Sequence, residues 1–165
     1  MARIVALIAM MVTLVPAALA EPFKVDAMLT MQESLRLDFQ DGSGHFVLMV
    51  RREGTAEGNG PLAGGSVVEY GWHDVMPGVA GDPHGYLEVT APGGDIAYLR
   101  FLVRGVFLSK PDGSARLADD GYWELVSGTG AFAGQRGVGG LVITPASKTE
   151  SRFTLEGEIT DAPGG

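Results

Sequence analysis

The chain of 165 residues contains no cysteine, which excludes disulfides, thiolate metal sites and a thiol nucleophile. Its stability must come from packing and sheet hydrogen bonds. Basic residues are scarce as well, with 12 Lys+Arg against 20 Asp+Glu and a formal charge of −8. An acidic surface without a basic stripe repels phosphate backbones, so nucleic acid is not an expected partner. The sequence has no G-x-S-x-G elbow, no P-loop and no dinucleotide fingerprint opening a helix. Long helical periodicity is missing too. The three histidines, His45, His73 and His84, show no metal-ligand spacing with one another or with Asp82. No metal and no other cofactor is expected.

The first twenty residues read as an address. Arg3 supplies a short positive region, Ile4 to Val15 is apolar except for Thr13, and Ala18-Leu19-Ala20 is an A-x-A cleavage pattern. The apolar run is too short for a spanning helix, which needs about 20 residues. The expectation is a secretory signal over 1–20 and a periplasmic or secreted protein with no membrane span after cleavage.

All 25 glycines lie beyond that segment, between short runs that alternate apolar and polar. Leu35, Leu37 and Phe39 alternate with Arg36 and Asp38, and Asp41-Gly42-Ser43-Gly44 then turns the chain. His45 to Arg52, Ser66 to Val75, Gly85 to Ala91, Asp95 to Leu108, Gly121 to Ser127, Val138 to Thr144 and Ser151 to Thr160 read as further strands. Phe23 to Met31 alternates but fits coil equally, and Arg51 to Pro61 fits a long turn or a strand end. Met76 to Pro83 reads as a loop. Many short strands with turn signals at intervals of about 8–12 residues predict an all-β domain, a single antiparallel closed barrel of about eight strands over 21–160. Residues 161–165 are expected to form a loose tail.

The most regular passage is Ser127-Gly128-Thr129-Gly130-Ala131-Phe132-Ala133-Gly134-Gln135-Arg136-Gly137. Gly128 and Gly130 are expected to take positive φ, Phe132 to plug the turn from below, and Gly137 to allow close backbone approach. This corner resembles the allene oxide cyclase and dirigent barrel superfamily, in which a strand ends in G-[ST]-G-x-[FY] before a short segment and a glycine that opens the next strand. The likeness runs from Gly121 to Glu158. It implies an eight-stranded barrel with a central cavity, assembly into dimers or trimers, and either cofactor-free cyclisation of an epoxide or steering of radical coupling. Residues 25–100 do not match the motifs of those enzymes, so the resemblance transfers no catalytic residue.

Five residues are candidates for chemistry. Glu69 and His73 share one face of a strand, about 13 Å apart at ~3.3 Å per residue, too far to bond but able to line one cavity. Tyr98 and Arg100, with Arg104, share a face opposite Leu99, Phe101 and Val103. They are solvated if the apolar face is the core, and line the lumen if that face meets a neighbouring subunit. Glu124 shares a face with Tyr122, at the surface or in the lumen as a general acid of raised pKa. Because no acid–base or nucleophile constellation is assembled, the leading expectation is an exported, non-catalytic barrel that binds a small apolar or phenolic ligand. The second is a cofactor-free isomerase or cyclase using the cavity. A homo-oligomer is the expected assembly in the second arrangement of the middle strands.

Overall fold

The computed structural model describes residues 22–162, so the leader and the end of the tail lie outside the described residues. Eight strands follow in chain order: β1 (Phe23–Asp38), β2 (Phe46–Gly58), β3 (Ser66–Met76), β4 (Ala80–Thr90), β5 (Ile96–Ser109), β6 (Ala115–Gly128), β7 (Gln135–Pro145) and β8 (Glu150–Asp161). Each pairs antiparallel with its neighbour in sequence, and β1 closes the barrel on β8. No helix among the described residues is long and apolar enough to cross a membrane.

Several segments that fit turns or coil are strand. A register shift between Met31 and Glu33 lets Phe23 to Asp38 run as one strand, because a bulge absorbs the change of alternation. The breaker-rich Arg51 to Gly58 stays in the ladder, paired to β1 as far as Val25↔Gly58. The expected loop before Pro83 shrinks to a turn at Pro77–Val79, and β4 begins at Ala80. Pro83 sits within β4, opposite His73 on β3, while on the β5 side the pairing skips Asp82 and Pro83 between Gly81↔Gly105 and His84↔Leu102 without a change of register. A residue without an N–H is tolerated where the ladder is interrupted. At the tail, Asp161 belongs to β8, and Ala162 N–H donates to the Gly134 carbonyl.

The interior is a packed core. Leu29, Leu87, Leu99, Phe101, Trp123, Leu125 and Phe153 are fully buried, and Phe101 meets Phe153 edge-on at 6.1 Å. The apolar face of Leu99, Phe101 and Val103 is therefore core, which puts Tyr98, Arg100 and Arg104 on the outside. Trp123, the largest of these side chains, lies in a slot left by glycines. A Cβ at Gly157 would fall 2.6 Å from its ring and one at Gly139 2.7 Å from Nε1. Its indole N–H donates to the Glu156 carbonyl at 3.2 Å.

The two ends of the barrel differ. At the corner end, β6 leads through a single 3-10 turn, Gly130–Phe132, into β7. Phe132 is buried there as the plug, with Phe23 and Leu62 also in the core. Gly130 and Gly134 have positive φ, whereas Gly128 does not. Gly128 is needed for space instead, since a Cβ on it would meet Phe132 Cβ at 2.4 Å. At the opposite, hairpin end, β1–β2, β3–β4, β5–β6 and β7–β8 turn back, and the interior changes character.

Candidate functional site

Toward the hairpin end the inward positions become polar. Arg52, Glu69, His73 and Asp119 are all buried, with Glu69 0% exposed. Register brings them together: Arg52 lies opposite Glu69 across β2–β3, and Asp119 opposite Gly105 across β5–β6.

Glu69 and His73 touch, which corrects the expectation that four strand positions keep them apart. His73 Nε2 is 2.9 Å from Glu69 Oε1. The residue between them on the same face is Gly71, where a Cβ would fall 2.3 Å from Glu69 Oε1 and 2.9 Å from His73 Nε2. The missing side chain is the space in which the other two lean toward each other. Arg52 Nη1 donates to Glu69 Oε2 at 2.6 Å and lies 3.1 Å from His73 Nε2. Glu69 thus turns one oxygen to each neighbour and offsets the buried guanidinium charge. His73 Nε2 serves one partner at a time: it donates to Glu69 when protonated and accepts from Arg52 when not.

Asp119 has no such compensation. Its Oδ1 is buried without a hydrogen-bond partner among the described residues, as is Nε of Arg52. Burial pushes the Asp119 carboxyl up to about 6, with the charge of His73 pulling it down and Asp120 pushing it further up. The carboxylate lies over Gly105, where a Cβ would come 2.1 Å from Oδ1.

The sign of the linkage follows directly. A carboxyl with a folded pKa of about 6 against an ordinary 3.8 binds its proton more tightly when folded. Its contribution to stability is present below about pH 4 and is lost as pH rises through 6. Two pKa units correspond to at most about 3 kcal/mol, an upper bound that solvent screening lowers. The unfolding free energy of the parent relative to Asp119→Asn is therefore expected to fall by about 1–2 kcal/mol between pH 4 and 7, read by urea denaturation. Parallel pH profiles for the two proteins would contradict it.

Inward apolar side chains continue beside this polar floor toward the hairpin end, at Met31, Leu48, Val75, Phe107 and Leu117, all half-buried, and they form an apolar collar in which Met31 lies opposite Arg52, Leu48 opposite His73 and Phe107 opposite Leu117. Phe46 lies further out, with the Arg36 guanidinium 3.7 Å over its ring.

The other three candidates stay outside this cluster. Arg100 Nη2 donates to Glu124 Oε2 at 2.6 Å across the outer face of β5–β6, and Tyr98 shares that outward side, half-buried. Glu124 lines an external groove of about 350 Å³ with Arg136, Val138, Glu158 and Thr160, which none of the four buried residues reaches. Arg104 pairs with Asp82. His45 and Asp74 bond at 2.6 Å beside an outer cleft of about 270 Å³, and His84 lies exposed near Trp72. No grouping of three or more His, Asp or Glu suited to a metal ion occurs among the described residues.

The sequence-based reading of the site missed Arg52 and Asp119. Arg52 falls in the passage rich in turn residues, yet it keeps step with Val50 and Ala56, both inward. Asp119 precedes the expected strand start at Gly121, but the odd-numbered series Asp119, Gly121, Trp123, Leu125 carries the signal.

What fold and site define is an eight-stranded antiparallel closed barrel with a buried ionisable cluster at one end of its lumen. No protein-family profile matches the chain, and no curated protein matches it either. Among solved structures it is similar to RPA1785, a conserved protein of unknown function from Rhodopseudomonas palustris, at 9% identity with a TM-score of 0.48. The likeness covers 86% of this chain and 98% of that one.

Proposed function

We propose that the protein is a small-ligand-binding barrel whose site is the hairpin end of the lumen, open to molecules with an apolar body, including phenolic ones. The observation that carries this reading is the mixture of side chains at that end: half-buried apolar residues beside a buried floor where Asp119 Oδ1 and Arg52 Nε lack partners among the described residues. Pockets that bind small molecules combine apolar walls with a few placed polar groups in this way. The corner end, plugged by Phe132, leaves the hairpin end as the entrance. Placement in the allene oxide cyclase and dirigent superfamily belongs to the same proposal and rests on the Gly128 to Phe132 corner. So does export, which rests on the leader.

A second reading, a cofactor-free isomerase or cyclase, is favoured by one feature. Asp119, its carboxyl raised to about 6 by burial, is a group able to exchange a proton near neutral pH inside the barrel.

The binding reading is tested by titrating the isotope-labelled protein with n-hexanol and with para-ethylphenol and following backbone amide shifts. Saturable shifts are expected at Met31, Leu48, Val75, Phe107 and Leu117, and Leu117→Arg is expected to remove them. Shifts scattered over the outer surface, or none, would sink the reading.

A further inference from the structure

The barrel closes along only part of β1. Its ladder with β8 runs from Phe23↔Gly157 to Thr30↔Glu150, and one further bond, from Met31 N–H to the Thr149 carbonyl at 2.8 Å, ends it. On its other side β1 stays paired with β2 as far as Asp38↔Phe46. From Gln32 to Asp38 the outer edge of β1 therefore has no strand beside it among the described residues, and every residue of that stretch is exposed. A row of main-chain donors and acceptors left open in this way is a template for another strand.

The side chains of this stretch guard it weakly. Edges that must stay alone carry unpaired charge, lysine above all, or proline, and neither lysine nor proline occurs between Gln32 and Asp38. Its charges are answered within the β1–β2 ribbon: Arg36 donates to Asp38 at 2.8 Å, and Arg51 lies 3.5 Å from Glu33. Leu35 and Leu37 point to the outer side with their cross-strand neighbours Met49 and Val47, and they are 64% and 57% exposed. Ser34, Arg36 and Asp38 alternate with them on the lumen side. A groove of about 270 Å³ lined by Glu33, Leu35, Met49 and Arg51 lies beside the edge.

We propose that this edge pairs two copies of the chain, antiparallel about a two-fold axis at Leu35. The stretch is its own complement. An axis normal to the sheet keeps each side of one strand on the same side in its mate, so Leu35 and Leu37 of both copies form one apolar side, and Ser34, Arg36 and Asp38 one polar side. The register with Leu35 opposite Leu35 overlaps the whole stretch and sets Gln32 opposite Asp38, Glu33 opposite Leu37 and Ser34 opposite Arg36. No like charges then stand opposite one another, whereas centring the pair on Arg36 would set arginine against arginine. Leu37 of the second copy comes to lie beside the groove at Glu33. A chain with a net charge of −8 repels its copies over most of its surface, and this charge-balanced edge is where two of them can meet.

The test is sedimentation velocity on the full protein over a series from about 1 μM to 1 mM, since a short edge makes a weak contact. A monomer–dimer equilibrium is expected. Leu35→Lys puts a charge from each copy at the axis and is expected to raise the dissociation constant at least about tenfold. Val138→Lys, at a 54% exposed position on the outer face of β7, is expected to leave it unchanged. Substitutions at such open positions leave folding intact, and circular dichroism checks this. Because the chain has no cysteine, Leu35→Cys introduces the single thiol, and mild oxidation is expected to link two copies there, as a disulfide needs the two residues face to face. Monomer at every concentration, a dimer that Leu35→Lys leaves intact, or linkage no faster at Leu35→Cys than at Val138→Cys overturns the proposal.

Discussion

Replacing Glu69 with alanine is expected to lower the free energy of unfolding by about 3–5 kcal/mol, measured by urea denaturation near pH 7. Glu69 is fully buried, and its two oxygens take Arg52 Nη1 and His73 Nε2. Removing it leaves a guanidinium in a poorly solvated lumen with only an imidazole beside it. The companion experiment separates that penalty from the net worth of the pair. The double change Arg52→Met with Glu69→Leu fills a similar volume without charge and is expected to recover most of the loss, since apolar replacement of a buried ion pair is often neutral or stabilising. If Glu69→Ala costs less than about 1 kcal/mol, water reaches Arg52 and the polar floor is not the dry site described above.

A loss of similar size is expected from Trp123→Ala, about 3–5 kcal/mol. The reason is the slot. Gly139 and Gly157 hold no side chain that can swing into the space the indole leaves, and the flanking backbone is pinned in the β7–β8 ladder. A site that cannot collapse retains its cavity, and cost rises with cavity volume. Trp123→Phe, which keeps a ring in the slot, is expected to lose substantially less. Equal losses for the two variants would mean that the Nε1 bond to Glu156, rather than packing, dominates.

Much of the architecture was legible because strand alternation is a local property. Val67, Glu69, Gly71 and His73 on one face, or Leu99, Phe101 and Val103 on another, need no knowledge of the rest of the chain. What alternation leaves open is which face points inward, and that is settled only when the barrel closes. Glu69 and His73 share the inner side with Val67, while Tyr98, Arg100 and Glu124 alternate just as cleanly on the outer side. The Glu69–His73 bond was hidden for another reason. Spacing along a strand measures Cα positions, whereas the contact depends on a neighbour that has no side chain. Glycine had a second meaning in β7 and β8. Gly139 and Gly157 look like turn or bend residues in sequence, yet in the barrel they make room for a tryptophan two strands or one strand away. The corner at Gly128 to Phe132 is the plugged turn that its residues predict, with positive φ at Gly130 as expected, but at Gly134 rather than at Gly128.

The closure of β1 on β8 has a kinetic side. Seven of the eight seams join strands adjacent in sequence, each reachable by zipping a hairpin over a short loop. The remaining seam unites Phe23 with Gly157 and Thr30 with Glu150, and it is held on its outer side by Lys24 with Glu156 and by Asp26 with Thr154. The entropy of bringing distant segments together concentrates in that single step. Until it is taken, β1 and β8 are open sheet edges, the arrangement through which strands of one molecule pair with those of another. That one seam thus governs whether a newly made chain becomes a barrel or a partner in aggregation.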